Sequence, residues 1–211
     1  NIHIEQLLTR NSELTELKVE IERAAKAIIH SYENGGKLLA CGNGGSSSDS
    51  DHIVGELMKS FEIKRPLKQE LKTKLMEQGG ERGEYLAENL QQGLPAISLT
   101  AHTALTTAVA NDIDAEVIFA QQVTGYGNAG DILIGMSTSG NSQNVIDAIL
   151  VAKAKGLVTI GFTGKAGGKM KDICDILINV PERRTAYVQE LHLPVYHTLC
   201  LMIETHFFGT E

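Results

Sequence analysis

What this chain lacks narrows its role first. Its 211 residues have no surplus of positive charge: 19 Lys and Arg stand against 26 Asp and Glu, a formal net charge of −7. That balance argues against a partner that tracks nucleic-acid phosphates over a wide face, although a local basic pocket stays open. No apolar run is long enough to cross a bilayer. The opening Asn1-Ile2-His3-Ile4 has neither the charged nor the apolar segment of a signal peptide, and a start on Asn rather than Met reads as a trimmed end. The three cysteines, Cys41, Cys174 and Cys200, are odd in number and form no CxxC pair. They read as reduced, mostly buried residues of a cytoplasmic protein. Repeats and low-complexity tracts are absent. So are the usual nucleotide loops. Gly42 and Gly44 could open a GxGxxG pattern, but Ser47 stands where its last glycine belongs, and no GK[ST] follows. NAD and ATP are therefore poor ligands to expect.

What is present suits one α/β domain. The composition is 42% hydrophobic, enough for a real core. Apolar residues at helical spacing (Leu7, Leu14, Leu17, Ile21, Ala24, Ile28) predict one helix over 4–33, stopped by Gly35-Gly36. "KLLACGN" predicts a buried strand, and Ser46–Phe61 a helix opened by serines and Asp49 as capping residues. Further strands are expected at 95–100, 131–138, 158–164 and 175–180. Helices are expected at His102–Ala110, through "SGNSQNVIDAILVAKAKG" after the third strand, and from Thr185 to Phe208. Strands alternating with helices predict a parallel sheet with helices on both faces, binding ligands at the carboxyl ends of its strands. Residues 62–93 break the rhythm. They are strongly charged, and "GGERG" divides them into two short helices, an insertion lying over the domain as a lid, a solvated excursion or a subunit contact.

Two polar loops follow strands and so fall on the ligand edge. "STSGNS" places Ser137, Thr138, Ser139 and Ser142 around Gly140 at the start of a helix, whose free N–H groups and positive dipole end favour an anion. One serine would serve as a cap. Four hydroxyls exceed that need and suit a phosphate monoester. "GNGGSSSD" forms the second wall, with Asn43 and Ser46 expected to contact the hydroxyls of a small phosphorylated ligand. His52 and Glu56, spaced i, i+4, share one helix face, where they can chelate a metal, act as base and acid, or form a plain surface pair. In "VQELHLPVYH", Gln189, His192 and His197 interrupt an apolar helix. Gln189 and His197, offset by roughly 80°, can share a broad face, and Pro194 is expected to kink the helix and re-aim His197. His192 lies off that face and reads as structural or interfacial.

Taken together, "CGNGGSSSDSDHIVGEL", "PAISLT", "VAND", "STSGNSQNVI", "TGKAGGKM" and "VQELHLPVYH" resemble the phosphoheptose isomerases, small members of the sugar-isomerase (SIS) domain family, over nearly the whole chain except 62–93. The resemblance implies a three-layer sandwich around a five-stranded parallel sheet and a homotetramer with shared active sites. It implies conversion of sedoheptulose 7-phosphate to D-glycero-D-manno-heptose 7-phosphate through an enediol. It assigns Ser137, Thr138, Ser139 and Ser142 to the phosphate, and Asn43, Ser46, Gln189 and Asp112 to the sugar. Glu56 becomes the catalytic base and His197 its acid–base partner. His52, Glu56, Gln189 and His197 become a metal cluster, usually for zinc. Two positions depart from the family pattern: Ser60 stands where an arginine is common after the glutamate, and Tyr187 where one precedes the "QE". Lys64 or Arg65 could supply a replacement. Three other readings stay open: an isomerase of another phosphosugar, a non-catalytic SIS protein that binds a replication initiator, and a regulatory module that senses a phosphosugar.

Overall fold

A computed structural model describes residues 1–209. Five strands form one wholly parallel sheet: β1 (Leu38–Gly42), β2 (Ala96–Ser98), β3 (Ile132–Met136), β4 (Val158–Thr163) and β5 (Ile176–Asn179), in the order β2-β1-β3-β4-β5. The strands are short and almost wholly buried, as expected for a sheet covered on both faces. Their two-residue period divides the core. Leu38 and Ala40 of β1, with Ile132, Ile134 and Met136 of β3, join one apolar cluster. Leu39 and Cys41, with Leu133, join another. The first cluster is covered by α1 (Ile2–Arg10), α2 (Lys18–Glu33), α3 (Gly45–Met58) and α8 (Thr185–Phe208). The second is covered by α6 (Ile118–Tyr126) and α7 (Gln143–Ala154), with α5 (Thr103–Asp112) beside α6. This is the expected three-layer sandwich.

The first predicted helix divides in two. Helix α1 stops at Asn11, whose side-chain amide and backbone N–H both donate to the Leu7 carbonyl, and Ser12–Leu17 forms a 3₁₀ segment before α2. The Asn11 side chain bonds the backbone and competes with the helix, which spacing of apolar residues alone does not reveal. Helix α6 has no counterpart in the sequence reading. Helix α8 matches its predicted bounds and is continuous through Pro194, with the Thr198 hydroxyl donating to the Pro194 carbonyl.

Residues 62–93 leave the end of α3 and return before β2. They carry α4 (Gln69–Asn89), two helical halves meeting at Gly80, which sits at φ +52°. The base of this excursion is closed where Gln92 N–H donates to the Arg65 carbonyl (2.7 Å). Arg65 itself is buried. Its Nε donates to Glu204 Oε1 of α8 (2.8 Å), and its two terminal nitrogens donate to the carbonyls of Leu57 and Glu56 in the last turn of α3. Glu204 also accepts the N–H groups of Phe61, Glu62 and Ile63. Burial would raise its carboxyl, but these donors and Arg65 outweigh that and hold it below the usual range. The pair binds the excursion, α3 and α8 together.

Candidate active site

The sheet order reverses between β1 and β3, the switch point at which open parallel sheets bind ligands. Gly42 pairs with Met136 across it, so the loops that follow leave adjacent strands at the same level. Between them lies a cavity of about 370 Å³, lined by Asn43, Ser46, Ser137, Thr138, Ser142 and Gln189 among others. On its β3 side the hydroxyls form a chain. Ser137 Oγ lies 2.8 Å from Ser142 Oγ and 3.4 Å from Ser139 Oγ. Ser142 occupies the N-cap position of α7 but makes no side-chain capping bond. Its hydroxyl turns into the loop instead, as an anion site requires and a plain cap does not. Gly140 is at φ +68°, and a Cβ there would stand 2.1 Å from the Gly167 carbonyl oxygen, so no other residue fits this approach of two backbones.

The β1 side is tied to the β3 side. Asn43 and Asn144 exchange a reciprocal pair of amide hydrogen bonds, both 2.9 Å. Asn43 thus lines the cavity while bracing it, and Asn144 is a member that the sequence did not single out. Ser46 is buried in the first turn of α3. Asp49, expected among the caps, does not cap: α3 starts at Gly45 behind Gly44, without a side-chain cap bond.

Helices α3 and α8 run side by side in the same direction. The Gln189 amide lies against Gly45, close enough that a Cβ there would be 2.6 Å from its nitrogen. Further along, Tyr196 meets Asp49 and His52, and His197 meets His52. This alignment assembles the acid–base group. His52 Nε2 is 3.1 Å from Glu56 Oε1 and 3.4 Å from His197 Nε2. One ligand atom from each of His52, Glu56 and His197 lies within 4.8 Å of the others. Lys59 Nζ approaches Glu56 Oε2 at 3.2 Å. The glutamate side chain is 12% exposed, reachable but largely desolvated. Burial lowers the pKa of His197, and His52 and Arg10 push it the same way against the pull of Glu56, so the ring is mainly neutral near pH 7. His197 also borders a groove of about 840 Å³ between α1 and α8, lined by His3, Gln6, Arg10 and Phe61 among others.

The helical rise puts His52 about 9 Å and Glu56 about 15 Å along α3 from Ser46. Hydroxyl loop and acid–base group therefore occupy two stations on one helix. Asp112 is not brought to either: it is exposed at the end of α5, where Asn111 donates to it. Arg65 cannot replace a missing sugar-contacting arginine, because its guanidinium is consumed by Glu204 and the α3 carbonyls. His192 is structural, as expected: fully buried, with Nε2 3.2 Å from the Thr163 carbonyl.

The family model for the SIS domain matches residues 3–92 and 82–164. The chain is 40% identical over 195 residues to a phosphoheptose isomerase of Burkholderia pseudomallei, covering 92% of this chain and 86% of that one. It is 36% identical over 211 residues to that of Aneurinibacillus thermoaerophilus, covering 100% and 92%. Among solved structures, phosphoheptose isomerases from Neisseria gonorrhoeae and Francisella tularensis superpose with TM-scores of 0.75 and 0.74, each at 32% identity over 97% of this chain and 96% of the other.

Proposed function

The chain belongs to the SIS-domain family and, within it, to the phosphoheptose isomerases, and from that premise we propose that it converts sedoheptulose 7-phosphate to D-glycero-D-manno-heptose 7-phosphate. The observation that carries this reading is the pairing, along α3, of a hydroxyl-lined loop at the sheet's switch point with an acid–base group further down the helix. Ser137, Thr138, Ser139 and Ser142 hold the phosphate, aided by the N-terminus of α7. Asn43, Ser46 and Gln189 orient the polyol chain.

Glu56 takes a proton from C1 of the ketose, and the oxygen at C2 receives one, giving an enediol. Glu56 then returns its proton to C2 while the C1 hydroxyl loses one, giving the aldose. His197, whose ring is mainly neutral, can donate to one oxygen and accept from the other, which is the shuttle these steps need.

Zinc suits the donor set: two imidazole nitrogens and a carboxylate oxygen converge within 4.8 Å. His52, Glu56 and His197 would hold it; Gln189, expected as a further ligand, lies instead against Gly45 at the loop end of α3. When bound, it would polarise the sugar carbonyl and stabilise the enediolate.

The reading extends to the whole chain as one SIS domain with 62–93 as an insertion, working as a homotetramer in the cytoplasm. Assembly is supported by α5 and its C-terminal flank, where Ala104, Ala108, Ala110 and Ile113 are exposed. Burying that surface between subunits would carry Asp112 toward a sugar held by a neighbour. Free, buried Cys41 and Cys200 suit a reducing compartment. No helix among the described residues is long and apolar enough to cross a membrane.

The test is incubation of the purified protein with sedoheptulose 7-phosphate, with and without zinc, followed by NMR. Appearance of the manno-heptose 7-phosphate is the expected result. Binding without conversion would overturn it.

A further inference from the structure

Two side chains behind the acid–base group have no part in the reaction above. The Tyr196 hydroxyl lies between Asp49 Oδ1 (3.1 Å) and His52 Nδ1 (3.0 Å). It has one proton to give and lone pairs to receive with. Asp49 has no other donor among the described residues: Oδ1 meets Tyr196 alone, and Oδ2 is buried without a partner. If Tyr196 gave its proton to His52, the Asp49 oxygen would face a bare hydroxyl lone pair at 3.1 Å, with nothing between them. The proton therefore belongs to the bond with Asp49, and the tyrosine oxygen is left as an acceptor. His52 must then carry its own proton on Nδ1.

The consequence falls on the other ring nitrogen. A neutral His52 protonated on Nδ1 presents Nε2 as a bare lone pair. That atom points at Glu56 Oε1 and His197 Nε2, 3.1 and 3.4 Å away; the same lone-pair cost then falls on Glu56, but Glu56 also takes Lys59 Nζ at 3.2 Å, a second donor that Asp49 lacks. We propose that Tyr196 and Asp49 are positioning residues that lock His52 in the Nδ1–H tautomer, so that Nε2 faces Glu56 and His197 as a ready cation ligand. The opposite tautomer would satisfy Glu56 with an Nε2–H and close the site to a metal. The arrangement is the outer-shell device by which carboxylates fix metal-binding histidines, here acting through a phenol. Tyr196 is buried, and its ring packs edge-on against both His52 and His197, so the hydroxyl is held in place by packing.

The inference deepens the zinc reading above and rests on it for its purpose, but not for its test. The first measurement is the two-bond ¹H–¹⁵N correlation of the imidazole rings in the metal-free protein, about two pH units above the ordinary imidazole value of ~6.5. His52 is expected with its proton on Nδ1 in the wild type, and with that preference lost in Tyr196→Phe, which keeps the ring and removes the hydroxyl. A wild-type His52 protonated on Nε2, or a tautomer unchanged in Tyr196→Phe, would overturn the proposal. The second measurement is Zn²⁺ titration against a chromophoric chelator. Tyr196→Phe is expected to bind Zn²⁺ about 10–100-fold more weakly, and equal affinity would also overturn the proposal. Wild-type protein that shows the Nδ1–H tautomer but binds no Zn²⁺ would sink the metal reading and leave the tautomer lock standing.

Discussion

Two of the three histidines of helix α8, five residues apart, do opposite work. His192 is fully buried beneath β4, packed edge-on against Phe162, and its Nε2 meets the Thr163 carbonyl. Burial drives its pKa down to about 4, with the hydrogen bond to Thr163 opposing. It is a neutral ring spent on packing. His197 stands on the side of α8 that faces α3, partly open to solvent, against His52, Tyr196 and Phe61. Its ring can exchange protons with a ligand. Residue type and helix are the same in both cases. What differs is whether the helical turn aims the ring at the sheet or at the helix that carries Glu56.

The largest expected effect breaks the working member. His197→Asn should lower kcat by about 10²–10⁴-fold, the usual contribution of a positioned acid–base group, while the unfolding midpoint stays put. A melting point that falls together with the activity would make His197 as structural as His192. Next comes the packing member. His192→Ala should cost about 2–4 kcal/mol through the cavity it leaves, yet the folded fraction should turn over at the wild-type rate. Denaturant unfolding combined with kcat per folded molecule separates the two.

His192 also predicts a pH dependence. Its folded value, about 4, lies below the ordinary imidazole value of about 6.5, so the unfolded chain takes up this proton first. The stability from the neutral buried ring is full above about 6.5, declines as pH falls, and levels off near 4. A shift of that size corresponds to about 3 kcal/mol. The slope over that window should flatten in His192→Ala, and an unchanged slope would assign it to other groups. The smallest effect is at the phosphate loop. Ser137→Ala should raise KM about 10-fold, as expected for losing one hydrogen bond to a charged group, with kcat little changed. Unaltered affinity would count against the phosphate assignment.

Much of this was legible from sequence because it is local. The strands announced themselves as short apolar runs ended by glycine or serine loops, and α8 by a long, mostly apolar stretch from Thr185 to Phe208 broken by a few polar residues. His52 and Glu56 needed only i, i+4 spacing. What stayed hidden depends on partners far apart in the chain. Asp49 read as a cap because its partner, Tyr196, lies 147 residues away. Arg65 read as a free cation because Glu204 is 139 residues away. Asn144 went unremarked because only the switch point sets it against Asn43, 101 residues away. The break at Asn11 escaped because apolar spacing continues through it. Helix α6 escaped because its stretch of mixed apolar and small residues follows the break at 113–114 that ends α5.

The central claim is that Glu56 moves the carbon-bound proton. The direct measurement is the rate at which Glu56→Gln converts sedoheptulose 7-phosphate under conditions where the wild-type protein turns over, with circular dichroism and melting recorded on the same sample. The account predicts a variant that folds and melts like the wild type but isomerises at least about 10²-fold more slowly. A folded Glu56→Gln that isomerises at the wild-type rate would contradict it.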